Sequence, residues 1–177
     1  VTAGKAAWSA PDNPAGGSAP GNYGAGIYCN GMGSGNVCSP TINNVTFSGN
    51  WAEFGGGAFY NNGSSGGVSN PTLTNLLFSG NFAHWSGGAI LNEGTSGTSS
   101  PTLTNVIFSD NSCYGSSGGA MVDMGSNGGA SNPTLTNVVF SRNYCWHGGA
   151  LTNGATNGTS KPILTNVTFS NNSAGNN

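Results

Sequence analysis

The sequence predicts an all-β protein, a parallel β-solenoid of about five coils with some 31 residues in each. Three observations carry that reading. A segment ending in Phe-x-x-Asn recurs five times, with its phenylalanine at Phe47, Phe78, Phe108, Phe140 and Phe169, spaced by 31, 30, 32 and 29 residues. A second segment, Gly-x-apolar, alternates with it in fixed phase: GIYCN (26–30), GAFYN (57–61), GAILN (88–92), GAMVD (119–123) and GALTN (149–153). Within both, apolar and polar residues alternate as in strands, and no stretch keeps the i, i+3, i+4 spacing of an amphipathic helix. The 32 glycines and the many Asn, Ser and Thr oppose helix on propensity as well.

Residues 1–21 do not follow the repeat and are expected to be an arm or a cap, with Trp8 as a candidate anchor. Residues 22–177 form the solenoid domain. Each copy of P-T-L-T-N-V-x-F-S-x-N should give two short strand runs that bend at the Asn. Stacked in register, the copies build apolar columns: Ile42/Leu73/Leu103/Leu135/Leu164, Val45/Leu76/Val106/Val138/Val167, and the five phenylalanines as a stacking core. The bend residues Asn44, Asn75, Asn105, Asn137 and Asn166 should form an Asn ladder, because Asn tolerates a left-handed backbone and its amide can bond from coil to coil. Two further columns read the same way, Asn50/Asn81/Asn111/Asn143/Asn172 and Asn30/Asn61/Asn92/Asp123/Asn153. The outward column Thr46/Leu77/Ile107/Val139/Thr168 is apolar in its middle, a surface able to receive such an arm from a neighbouring copy.

FSGN, FSDN and FSRN fit an F-x-x-N signature, and GGAF, GGAI, GGAM and GGAL fit G-G-A-hydrophobic. Together they resemble the repeats of chlamydial polymorphic outer-membrane proteins. They are also similar to the right-handed parallel β-helix repeats of bacterial secreted and surface proteins. The resemblance covers about residues 24–172. It implies a single-stranded right-handed parallel β-helix, and an adhesin, passenger-domain or surface-polymer role outside the cell.

Composition narrows the chemistry. Three basic and five acidic residues cannot neutralise a run of phosphates, so nucleic acid is excluded as a partner. No apolar run approaches the ~20 residues of a membrane-spanning helix. Four cysteines in a charge-poor chain point to an oxidising compartment. Cys113 and Cys145 each follow their phenylalanine by five residues, so adjacent coils should place them ~4.8 Å apart, within reach of a disulfide. Cys29 and Cys38 flank one loop and form the other expected pair. A zinc site is the rival reading, disfavoured because no C-x-x-C occurs and the histidines are not spaced as ligands. No cofactor is expected.

Catalysis is not expected either. Asp12, Glu53, Glu93, Asp110 and Asp123 fall in different columns, so no carboxylate pair shares a face. Asp110 and Arg142 share a column and read as a surface ion pair, and Glu53 with His84 as an exposed pairing. The turn after each F-x-x-N carries aromatics, namely Trp51, Phe54, Phe82, Trp85, Tyr114, Tyr144 and Trp146. They are a candidate sugar-stacking surface, the simpler reading being that they cover the corner and pack on each other. Thr72/Thr74, Thr102/Thr104 and Thr134/Thr136 form a T-x-T ladder like an ice-binding face, or simply strand-favouring Thr. N-x-S/T sequons stand at Asn44, Asn62, Asn157, Asn166 and Asn171, of which Asn62 and Asn157 fall in Gly/Ser loops suited to glycans.

The two ends read as complementary half-coils, FSNNSAGNN at one and NYGAGIYCN at the other. The expected function is therefore an extracellular structural or adhesive protein that stacks head to tail on its own kind into a surface filament. The alternatives are a carbohydrate- or ice-binding surface protein meeting glycans or neighbouring cells, and a passenger fragment of a larger adhesin. If the arm belongs to the joint, removing residues 1–21 should abolish filaments.

Overall fold

A computed structural model describes residues 5–6 and 22–175. Among these there are seventeen strands, all pairing in parallel, and no α-helix. In chain order they are β1 (Lys5–Ala6), β2 (Ile27–Asn30), β3 (Thr41–Asn43), β4 (Thr46–Ser48), β5 (Trp51–Ala52), β6 (Phe59–Asn62), β7 (Thr72–Ser79), β8 (Phe82–Ala83) and β9 (Ile90–Glu93). There follow β10 (Thr102–Ser109), β11 (Ser112–Cys113), β12 (Met121–Met124), β13 (Thr134–Ser141), β14 (Tyr144–Cys145), β15 (Leu151–Gly154), β16 (Ile163–Ser170) and β17 (Ser173–Ala174). They stack into three sheets. The main sheet runs β16-β13-β10-β7 and ends on β3 and β4, the short sheet runs β1-β5-β8-β11-β14-β17, and the third sheet runs β15-β12-β9-β6-β2. Each coil contributes one rung to each sheet, so the chain is a β-solenoid of about five turns.

The main sheet shows how sequence sets shape. Its strands pair residue for residue, Leu73 on Leu103 on Leu135 on Leu164 and Phe78 on Phe108 on Phe140 on Phe169. In a regular strand, side chains alternate sides, so Leu73 and Leu76 would point opposite ways. Asn75 takes φ 55° between them and resets the alternation, as Asn44, Asn105, Asn137 and Asn166 do at 51–55° in the other coils. Both Leu73 and Leu76 therefore face the core with Phe78. The five rings stack nearly parallel, with centroids 4.8–4.9 Å apart.

The strand edges of the bend are tied by the exposed ladder: Nδ2 of Asn75 donates to Oδ1 of Asn44 at 3.2 Å, and Asn105, Asn137 and Asn166 continue it. The F-x-x-N column is buried and more fully bonded. Asn111 Nδ2 donates to Asn143 Oδ1 and to the Phe78 carbonyl, both at 3.0 Å, while its own Oδ1 accepts from the backbone and side chain of Asn81. An Asp could not supply those donors. The double glycine of G-G-A is equally local in cause. The first takes a left-handed φ of 57–69°, and a Cβ on the second would lie 2.1–2.2 Å from a backbone oxygen of the next coil.

One expectation needs correction. In the first coil the register is shifted by one: Cys29 lies on Asn61 and Asn30 on Asn62. Cys29, not Asn30, thus fills the inward column of Asn61, Asn92 and Asp123. Aligning on glycine had hidden that Ile27-Tyr28 matches Phe59-Tyr60, which place an apolar residue inward and a tyrosine outward. At the N-terminus Lys5 lies on Trp51 and Ala6 on Ala52, along the edge of β5, where a strand offers unmet N–H and C=O groups. Trp8 lies outside the described residues.

Candidate functional site

The short sheet turns at a corner, and the aromatic row lies there. Its members separate into two groups. Trp51 stacks on Phe82 at 6.2 Å, Phe54 packs on Tyr23 at 5.4 Å, and the Tyr144 hydroxyl donates to the Gly175 carbonyl. These rings cover the corner. Trp85, Tyr114 and Trp146 do not: they are 50%, 68% and 41% exposed. The register that sets Phe82 on Ser112 on Tyr144 makes Glu53, His84, Tyr114 and Trp146 successive members of one column. His84 joins the group, its ring 5.9 Å from Trp85 and 5.6 Å edge-on from Tyr114, with Nδ1 3.1 Å from Glu53 Oε1. The sequence reading left His84 out of the aromatic row. Reading down its column would have found it.

The charged groups are scattered over the molecule. Arg142 grips Asp110 with Nε and Nη2 at 2.7 and 2.8 Å, which holds the Asp110 carboxyl below its usual range. The pair is exposed and contributes little to stability. Both members sit at left-handed φ, 57° and 53°, where Gly49 and Gly80 stand in earlier coils. Glu93 accepts from the Thr95 amide and closes a turn. Asp123 is buried in the inward column, where Asn92 Nδ2 donates to its Oδ1 at 2.7 Å and its Oδ2 has no partner. Burial pushes its pKa up to about 7, against the opposing pull of the Asn92 hydrogen bond. Asp12 lies outside the described residues. Among the described residues no cluster of His, Cys, Asp and Glu is placed to hold a metal ion.

The ends of the solenoid differ. Phe47 in the first coil is fully buried, whereas Leu164 and Phe169 in the last are 43% and 47% exposed, although they continue columns that are buried elsewhere. β15, β16 and β17 present their outer edges there.

Residues 44–62 and 75–93 match the Chlamydia polymorphic membrane protein (Chlamydia_PMP) repeat. Each matched stretch of this repeat runs from a left-handed bend Asn, through the buried F-x-x-N amide and the double glycine, into a strand of the third sheet. Its two signatures are thus the backbone reversal and the tight approach of coils described above. No curated protein and no solved structure matches the chain.

Beside the repeat, the chain holds two disulfides. Cys29–Cys38 closes the first loop with Cα atoms 5.6 Å apart, and Cys113–Cys145 joins two rungs of the short sheet at 4.7 Å. Such bonds persist in an oxidising compartment. With the likeness to a membrane-protein repeat, they are consistent with a surface location. Of the sequons, Asn44, Asn157, Asn166 and Asn171 are exposed. Asn62 is not in an open loop: it is buried at the end of β6, donating to the Tyr28 hydroxyl and accepting from Ser64. The T-x-T hydroxyls lie in register on the outer face, Thr72 on Thr102 on Thr134 and Thr74 on Thr104 on Thr136.

Proposed function

We propose that the chain is a non-catalytic structural and adhesive element of a cell surface, and that its last coil docks the first coil of a second copy so that solenoids join head to tail. One observation carries the reading. Leu164 and Phe169 form an exposed apolar end on β16, in columns that every inner coil buries, and Ile163 stands exposed beside them in the outward Thr column. Open solenoid ends of this kind invite another coil, since backbone edges and apolar faces are unmet together. A second copy offers the matching chemistry, because β2, β3 and β4 repeat the register of the strands that cover every other coil. A heterologous joint of this type does not close, so it yields fibres. Five rungs set the axial repeat at roughly 24 Å.

Electron microscopy and sedimentation velocity over a range of concentrations test this. Filaments with that repeat are expected, and their loss in Leu164→Glu with Phe169→Glu. Discrete monomers at every concentration, both for the full chain and for a chain lacking residues 1–21, would reject head-to-tail joining.

A further inference from the structure

The three exposed rings of the corner stay open to water even where Trp85 and Tyr114 meet the His84 ring. Their neighbours Trp51, Phe54, Phe82 and Tyr144 pack against other groups, but Trp85, Tyr114 and Trp146 leave between two-fifths and two-thirds of their surface in water. Nor do the polar atoms of these three make a hydrogen bond within the described residues. They stand on three successive coils, Tyr114 and Trp146 in one column and Trp85 one residue beyond that column's His84, so the strip advances by one rung, ~4.8 Å, from coil to coil. The Glu53–His84 pair lies at one end of it, and Gly115 lies against the Trp85 ring.

We infer that this strip binds an extended, uncharged polysaccharide laid along the solenoid axis. The chemistry of the strip selects among ligands. A ligand must stack on open, flat rings without being enclosed, because all three rings stand 41–68% exposed. It must also be served by neutral or paired polar groups at the margin. Nucleic acid stacks on rings too, but its phosphates need cations. The strip has only the Glu53–His84 pair, and Arg142 is already held by Asp110. A protein hot spot needs a ring sunk in a desolvated pocket, whereas these rings stand open to water. A pyranose meets each condition. Its C–H face stacks on an indole or phenol, its hydroxyls stay hydrated or reach Glu53 and His84, and an extended β-linked chain advances by close to one rung per sugar. The register of the solenoid then supplies what a single aromatic cannot, several weak stacking contacts in line with the repeat of the ligand.

This inference is independent of head-to-tail joining, and its test uses the full chain. Titration with cellohexaose, followed by tryptophan fluorescence and by calorimetry, is expected to show saturable binding. The curled maltohexaose should bind at least tenfold more weakly. Tyr114→Ala and Trp85→Ala should each weaken cellohexaose binding by roughly tenfold, the order of one stacking contact. Phe82→Leu, in the packed part of the row, should leave it unchanged. Thermal unfolding of each variant near that of the wild type would show that a lost ring, not lost fold, is responsible. Absence of binding to cellohexaose would overturn the inference. So would binding that survives Trp85→Ala, Tyr114→Ala and Trp146→Ala combined, or preference for a sulfated oligosaccharide over the neutral one.

Discussion

Phe47 and Phe169 stand at opposite ends of one column of rings, and only the first is covered. Sequence does not explain the difference, since both belong to the same V-T-F-S run. Burial in a repeat is set by what lies on each coil, not by the residue it carries. At the first coil Phe47 also meets Phe59 edge-on, and β1 adds a rung to the short sheet on β5. At the last coil nothing among the described residues does so. Among the described residues, the column of rings is thus covered at its first coil and open at its last.

The largest expected effect separates an inner coil from the open one. Phe108 stacks on Phe78 and Phe140 and is fully buried, so Phe108→Ala should cost ~3–5 kcal/mol in unfolding free energy. Phe169 has one stacking neighbour and stands half in water, so Phe169→Ala should cost about 1–2 kcal/mol. Denaturant unfolding measures both. Equal losses would mean that the last coil is covered in solution, and would favour a docked neighbour there.

The next effect concerns the covered face. In a continuous solenoid, the rung that precedes β5 in the short sheet belongs to the previous coil, and in a filament it would be β17 of the preceding copy. β1 occupies that same rung. Pairing of β1 with β5 and in-register stacking of a second copy therefore exclude each other. This reverses the expectation drawn from sequence for residues 1–21. Removing them, or breaking the rung with Ala6→Pro, should promote filaments rather than abolish them, read as a shorter lag in light scattering and a lower threshold concentration. Slower assembly of Ala6→Pro would mean that the segment belongs to the joint.

Much of this architecture was legible because each coil repeats the same local physics. Spacing alone located the Leu, Val and Phe columns, and the left-handed bend at Asn75 followed from Asn among β-branched neighbours. What remained hidden was non-repeating or two-sided. The one-residue shift at Cys29 escaped because glycine was the anchor, although glycine is the residue least tied to a face. The pairing of β1 left no signature, because a two-residue rung needs only backbone. Tyr60, Leu91 and Val122 point away from the main core yet are buried with Tyr23 and Tyr28 against the outer face of the third sheet. Alternation cannot show that a strand is covered on both sides. The division of the corner rings into packed and exposed was likewise beyond reach, since Phe82 and Trp85 differ in sequence only by position in a turn.

The smallest effect lies one coil short of the open face. Asn61 and Asn92 pass hydrogen bonds along the inward column, each Nδ2 donating to the next Oδ1, until Asp123, which as a carboxylate has no donor to pass on. Its folded pKa of about 7 lies above the 3.8 of the free side chain, chiefly through burial. The folded state thus holds a proton that the unfolded state releases. Stability contributed this way is fully present below about pH 3.8, declines as pH rises, and is gone once pH passes 7. Asp110 acts in the opposite sense and in a separate window, since its lowered pKa makes its contribution fade only as pH falls into the acid range. Asp123→Asn should restore a donor to the column. At pH 8 it should gain ~1–3 kcal/mol, the cost of a buried polar group left unmet. At pH 4.5 the gain should be smaller, and the decline between these values should disappear. Unfolding measured at both pH values decides it: an equal gain at each would mean that Asp123 titrates as an ordinary carboxylate, and that the column tolerates a charge beside the open coil.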